Sequence, residues 1–318
     1  MATSPDSAQS CLSHPIVWLS NAQQRLGLVP TLGAGMAAWR CYVGGQWVDL
    51  LRRWDGQTTD MYTLASFAML PWSNRISQGG FDVGPQHYPM QCNRVGEPYP
   101  IHGDGWLQAW QCEQPEPHVV EMRLHSRGFQ GNPYHYEALQ RFVLHEEGLE
   151  QVLHVTHLGA QPLPYGLGQH PWFARDPDTV LHTPVQGVWL SGADPIPTAH
   201  RTDFPPELSD WNPTQGMPAY GTFIDNGFTG WNGVAHIDWP SKGLRLHLRH
   251  TETAQRPQAD GYCLVYRPST GPAFCFEPIT HPIDAFHMPG QPGLALLQQG
   301  QSVGMHLHWR IERRAQEC

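Results

Sequence analysis

Five short words along this chain set a polar or ionisable residue among glycine, proline and aromatic neighbours. They are Pro71-Trp72-Ser73-Asn74-Arg75-Ile76, Ile101-His102-Gly103-Asp104-Gly105-Trp106, Gly166-Leu167-Gly168-Gln169-His170-Pro171-Trp172-Phe173, Phe223-Ile224-Asp225 and Phe276-Glu277-Pro278-Ile279-Thr280-His281. Their key groups are an arginine, two histidines and two carboxylates. That inventory suits acid–base chemistry on a polar, uncharged ring such as a sugar.

Each candidate has a plainer reading. A lone histidine near apolar residues is more often packed than catalytic, but Gly166 and Gly168 permit close backbone approach beside His170, and Pro171 restrains the residues before it. Glu277 sits among Phe274, Cys275, Phe276 and Pro278, where a carboxylate is costly unless paired or protonated. Such surroundings raise its pKa and make it a competent base near neutral pH. The plainer alternative is an edge residue beside a turn. Arg75, with Asn74 before it, can hold hydroxyls or a developing oxyanion with its planar fork; alone, it reads as an exposed turn arginine. His102 can orient or polarise a hydroxyl. Asp104 and Asp225 are by composition turn formers first.

The elements that must position these residues read as strands. In Gly243–Thr251, Leu244, Leu246 and Leu248 alternate with Arg245, His247 and Arg249, the period of a half-buried strand. His118–His125 alternates likewise, and Tyr136–Leu144 and Leu149–Leu158 flank a hairpin turn at His145-Glu146-Glu147-Gly148. Cys263–Tyr266, Ala273–Phe276 and Gln301–Ile311 are further strands. The 32 glycines and 30 prolines punctuate the chain at short intervals, and no segment carries a long helical stripe. The expectation is all-β, a sandwich or barrel. Residues 1–14 read as a loose tail, 15–318 as one domain, and Asp194–Pro218 as a long surface excursion.

Bulk properties exclude several functions. A net charge of −9 with a single lysine, Lys242, argues against nucleic acid and anionic membranes. No apolar run is long enough for a transmembrane helix, and no secretory signal is visible. The seven cysteines are an odd number without a CxxC pair, which reads as reduced thiols in a cytoplasmic protein. His306-Leu307-His308, between Gly300 and Glu312, mimics a metal motif, but it falls at the extreme C-terminus with no second ligand set. The expectation is no metal.

Taken in order, the five words resemble the aldose 1-epimerase (galactose mutarotase) family. The matching stretches are Pro71–Gly80, Ile101–Trp106, Leu167–Phe173, Phe223–Trp231 and Phe276–Phe286. The resemblance implies a large antiparallel β-sandwich of the galactose mutarotase type with a sugar groove across one concave sheet. It implies His170, protonated, as general acid at the ring oxygen and Glu277 as general base on the anomeric hydroxyl. Arg75, Asn74, His102 and Asp225 fall to sugar binding, and no cofactor is called for. Gly168-Gln169-His170-Pro171-Trp172-Phe173 departs from the galactose mutarotases, which carry an Asn-His pair here, and lies closer to another bacterial branch. The expected partner is a free monosaccharide, with no nucleic acid or membrane, and the chain is a monomer or a dimer. The alternatives are a hexose-6-phosphate mutarotase, a sugar-binding module without catalysis, and a glycoside-cleaving enzyme using Asp225 and Glu277 as paired carboxylates.

Overall fold

The computed structural model describes residues 14–252 and 261–314. The expected N-terminal tail, His14 apart, lies outside the described residues.

Two large antiparallel sheets dominate. The first has nine strands in the order Met217–Pro218, Val180–His182, Val234–Trp239, Leu244–Glu252, Ser302–Arg313, Gly148–His157, His135–Leu144, Val119–Arg127 and Gln111–Glu116. The second has eight. Its main path runs Pro197–Arg201, Gly187–Ser191, Ile224–Trp231, Gly261–Arg267, Ala273–Ile279, Gly168–Gln169 and Ala68–Met69, and Trp172–Ala174 also pairs with Ala273–Ile279. A four-stranded sheet from Val17–Ser20 to Gln46–Asp49 adds an N-terminal layer. Helical structure among the described residues is limited to 3-10 turns.

The alternation in the sequence sets the layers. Leu244, Leu246 and Leu248 turn inward while Arg245 and His247 stay half-exposed and Arg249 exposed. Leu248 pairs with Trp309 and Leu246 with Ile311, so both strands present apolar side chains to one core. Phe173, Phe274 and Phe276 from the eight-stranded sheet belong to that core. The Phe173 and Trp309 rings lie 5.9 Å apart and join the two layers.

Ala273–Ile279 is buried along its whole length. Because side chains alternate across a strand, Phe274 and Phe276 fill the sandwich while Cys275, Glu277 and Ile279 face the other way. Glu277 is therefore a central-strand residue flanked by Gly261–Arg267, not an edge residue beside a turn. The expected hairpin at His145–Gly148 is present, with Leu144 paired to Leu149.

Two expectations are corrected. Asp225 sits inside the strand Ile224–Trp231, paired with Tyr266, because its neighbours Ile224 and Phe228 are drawn into the core. The excursion Asp194–Pro218 contains the strand Pro197–Arg201 and a 3-10 turn, Pro206–Trp211. It is tied down by Arg267, whose buried guanidinium holds the Asp210 carboxylate at 2.6 Å.

Asp104 is also more than a turn former. Its buried carboxyl accepts from Ser126 Oγ at 3.1 Å, Asn132 Nδ2 at 2.7 Å and the Tyr136 hydroxyl. It thereby joins the His102 loop to two strands of the other sheet. Asp104→Ala leaves these donors unpaired in a buried setting and should cost about 2–4 kcal/mol of stability, read as a lower midpoint in urea denaturation.

Candidate functional site

Segments 70–75 and 101–105 run side by side. Leu70 bridges Gly103 and Arg75 bridges Ile101. Gly103 has a positive φ of 71°, and a Cβ there would meet the Leu70 carbonyl oxygen at 1.8 Å, so only glycine lets the two segments close. Asn74 and His102 both take left-handed backbone, with φ of 53° and 59°. That strained pairing is held by two bonds. The His102 amide donates to the Asn74 carbonyl at 2.9 Å, and the Asn74 amide donates to His102 Nδ1 at 3.0 Å.

The second bond assigns the tautomer. With Nδ1 accepting, the proton of the neutral ring sits on Nε2. Burial, reinforced by the nearby His170 and Arg75, holds the His102 pKa well below the ordinary histidine value. His102 is thus a neutral donor.

His170 follows the short strand Gly168–Gln169, which is wedged between Ala68–Met69 and Ala273–Ile279. The close approach foreseen at Gly166 is present: a Cβ there would lie 2.0 Å from His281 Cδ2. His281 is structural. Its Nε2 accepts from the Ser73 amide at 3.0 Å, and its Nδ1 donates to the Pro282 carbonyl at 2.8 Å. His170 donates its backbone N–H to Phe67 at 2.9 Å, and its ring stacks with Phe67 at 4.7 Å and with Trp172 at 5.5 Å between centroids. The Arg52 guanidinium lies over the Trp172 ring at 3.7 Å.

His170 Nε2 stands 3.3 Å from Glu277 Oε1, and both side chains are buried. Burial, then the positive charge of Arg52, pushes the His170 pKa down to about 3. Burial, then the negative charge of Asp225, pushes Glu277 far up, against the pull of Arg75. The resting pair is therefore a neutral imidazole beside a protonated carboxyl, with one proton between them. Desolvation penalises both charged forms.

Arg75 is fixed on two sides. Its Nε and Nη2 reach Glu97 at 3.1 and 3.3 Å, and its Nη1 reaches Asp225 Oδ2 at 3.4 Å. Asn74, Arg75, His102, His170, Asp225 and Glu277 all line one hollow of about 210 Å³. Tyr62, Arg94, Glu97, Ile101, Trp172 and Tyr266 complete its wall. Of these, Glu97 and Arg94 carried no usable sequence signal, since both sit in a loop without periodicity. Trp172 stood within a motif but was credited only as a flank.

Larger hollows of about 650 and 580 Å³ lie elsewhere. The smaller one is the candidate site because it gathers the ionisable groups together with several orphaned polar atoms. Tyr62 Oη, His170 Nδ1, Trp172 Nε1 and Glu277 Oε2 are buried without a hydrogen-bond partner among the described residues. Buried polar atoms are rarely left so. A polyhydroxylated ring offers many partners of both kinds. His170, Cys275 and Glu277 could also present three ligand atoms to a metal. Burial raises the pKa of both the Cys275 thiol and the Glu277 carboxyl, so an ion bound there would have to displace their protons.

Two consequences are measurable by histidine NMR. The His102 and His170 ring signals should not move between about pH 5 and 8, where ordinary histidines titrate. Arg52→Gln removes the cation near His170, so the His170 midpoint should rise from its low value while His102 stays unmoved.

Comparison with known proteins identifies the family and the fold. The profile of the aldose 1-epimerase family matches residues 15–309. A protein of Escherichia coli K12 described only as uncharacterized YphB is 32% identical over 283 residues, covering 85% of this chain and 92% of its own. A crystal structure from the same organism, described provisionally as an aldose 1-epimerase, superposes with a TM-score of 0.84 at 28% identity over 94% of this chain and 99% of its own. A galactose mutarotase-like protein from Clostridium acetobutylicum has the same fold, with a TM-score of 0.79 at 17% identity over 94% and 96% of the two chains. The chain, an antiparallel β-sandwich of the galactose mutarotase type, belongs to the aldose 1-epimerase family.

Proposed function

We propose that the protein interconverts the α and β anomers of a free, uncharged aldose by ring opening and reclosure, with Glu277 and His170 as the proton-transfer pair. The observation that carries this is the buried contact at 3.3 Å between His170 and Glu277 in a hollow lined with orphaned polar atoms.

Opening a pyranose removes one proton from the anomeric hydroxyl and delivers one to the ring oxygen. A pair holding a single proton is matched to that exchange. Sugar hydroxyls reaching Glu277, together with the charge of Arg75, favour its carboxylate. The proton then passes to His170. Glu277 takes the anomeric proton, His170 protonates the ring oxygen, and the C1–O5 bond breaks to the aldehyde. Rotation about C1–C2 and reversal of the two transfers yield the other anomer. His102 Nε2–H and the Arg75 guanidinium are placed to stabilise charge on sugar oxygens, and Asp225 and Asn74 to fix hydroxyls.

The charges around the hollow favour a neutral sugar over a phosphorylated one. Arg75 is already held by Glu97 and Asp225, and Arg94 lies over the Tyr62 ring with its Nη1 3.1 Å from Asp60. Neither cation is free for a phosphate, and the added carboxylates repel one.

The proposed compartment is the cytoplasm. Cys41, Cys92, Cys112, Cys263 and Cys275 are free thiols, and no helix among the described residues is long and apolar enough to cross a membrane.

Polarimetry on freshly dissolved α-D-glucose and α-D-galactose should show a faster approach to the same final rotation. Glu277→Gln and His170→Asn should each slow it at least about 100-fold, with circular dichroism unchanged. Wild-type rates in Glu277→Gln would sink the assignment. Release of new reducing ends from oligosaccharides would point to glycoside cleavage instead.

The pH profile supplies a separate check. The active pair carries one proton. Activity is lost below the His170 value of about 3, when a second proton binds, and again above the raised Glu277 value, when the only proton leaves. The kcat/KM should therefore not fall as pH drops through the ordinary histidine pKa of about 6.5, and its loss on the alkaline side should report the raised Glu277 pKa.

A further inference from the structure

The outer face of the nine-stranded sheet carries a histidine cluster that the sugar chemistry does not use. His182 ends the strand Val180–His182 and is the direct cross-strand partner of His236 on Val234–Trp239. Asp238 lies two residues beyond His236, on the same face. We infer that His182, His236 and Asp238 form a binding site for one divalent transition-metal ion of the zinc type.

The two histidines are not hydrogen-bonded to Asp238, whose own partner is Arg245. His182 Nε2 and His236 Nε2 stand 3.6 and 3.7 Å from the same oxygen, Asp238 Oδ2. Those separations are too long for hydrogen bonds. They are close to the spacing of roughly 3.3–3.5 Å between ligand atoms that bond lengths near 2.1 Å impose in a tetrahedral zinc site. All three atoms fall within 4.8 Å of one another. The two imidazoles are stacked at 4.7 Å with 18° between their planes, so one ring must turn about its side-chain bonds to bring both in-plane Nε2 lone pairs onto a single ion.

Arg245 grips both Asp238 oxygens, with Nη2 at 2.6 Å from Oδ2, while Arg314 stands 3.7 Å from Oδ1. A carboxylate oxygen has two lone pairs, so Oδ2 keeps one for an ion. The two guanidinium charges weaken the attraction for a dication. They select against hard ions that rely on carboxylate charge and leave imidazole affinity decisive, which favours zinc, nickel or copper over magnesium or calcium.

The remaining coordination positions open onto the hollow of about 580 Å³, which Thr183, Thr214 and His247 also line. An ion here would staple the three-residue strand Val180–His182 to its neighbour. That strand leads through residues 183–186 to Gly187–Ser191, which pairs with the strand carrying Asp225. The expected effect is on stability, not on proton transfer.

Tag-free, metal-stripped protein should be titrated with zinc chloride by calorimetry. The wild type should bind zinc with an event that disappears in His182→Asn/His236→Asn. That event should survive in His125→Asn/His135→Asn, which removes the other close histidine pair, with Nε2 atoms 3.3 Å apart. Excess zinc should raise the wild-type Tm by about 3–5 °C and leave the first double variant unmoved. Magnesium should give no heat, and zinc-free sugar turnover should be the same in wild type and double variant. Should the double variant fail to fold, His236→Gln alone should weaken zinc binding at least tenfold. No zinc binding by the wild type, or undiminished binding after loss of His182 and His236, overturns the site.

Discussion

Desolvation of one carboxyl is the constraint on which the site depends. Glu277 lies on a strand whose residues are all buried, in the middle of a sheet, where an ionised carboxylate without compensation would be untenable. The fold answers in two ways. It keeps the proton on Glu277 and the neighbouring His170 neutral, and it sets Arg75 close enough to favour the carboxylate once other donors arrive. Arg75 in turn requires Glu97 and Asp225 as fixed counter-charges, because a buried guanidinium is itself costly unless paired. The chain of compensation runs from one buried acid to two loops and two strands.

The aromatic stack around His170 extends the same logic. Phe67 and Trp172 stack with the imidazole and exclude water from it, which is the main reason its pKa falls. They also fix its plane. Arg52, over Trp172, anchors the turn at Met61–Thr63 through the carbonyls of Leu64 and Tyr62. One arginine thus sets the electrostatic background of His170 and the position of Tyr62, whose ring packs edge-on against His170 at 5.8 Å. A ring held this rigidly needs little reorganisation when charge develops, which is the condition under which electrostatic stabilisation is most effective.

Much of this was legible in the chain because it is local. Period-two alternation in Gly243–Thr251 and the Glu-Glu-Gly turn after His145 are written in adjacent residues, and both became strands and hairpin as read. The glycines at 103, 166 and 168 mark close approaches, and glycine is the residue whose purpose a sequence states most directly. The groups around His170 and Glu277 were named because their neighbours are unusual for their type. What stayed hidden is non-local. Glu97 matters only because Arg75 lies 3.1 Å away, and Arg52 only because Trp172 lies beneath it. The lowered pKa of His170 is hidden for the same reason, since its burial depends on Phe67, far off in the chain, as well as on Trp172. Asp225 was read as a turn former because its immediate neighbours, Asn226 and Gly227, favour turns, whereas pairing with Gly261–Arg267 overrides that preference.

The placement of charge also bears on what the hollow can accept. Its two arginines are committed to Glu97, Asp225 and Asp60 before any ligand arrives. An anionic ligand at Arg75 would have to displace Glu97 or Asp225, and a carboxylate displaced while still largely buried costs more than a surface pair returns. A neutral polyol requires no such exchange. It can donate to the acidic oxygens and accept from His102, Tyr62 and Trp172 while every existing ion pair remains in place. The selectivity for an uncharged ring that we propose rests on a network that is complete in charge yet incomplete in hydrogen bonds, and that combination is what the buried Glu277 and its compensating partners leave behind.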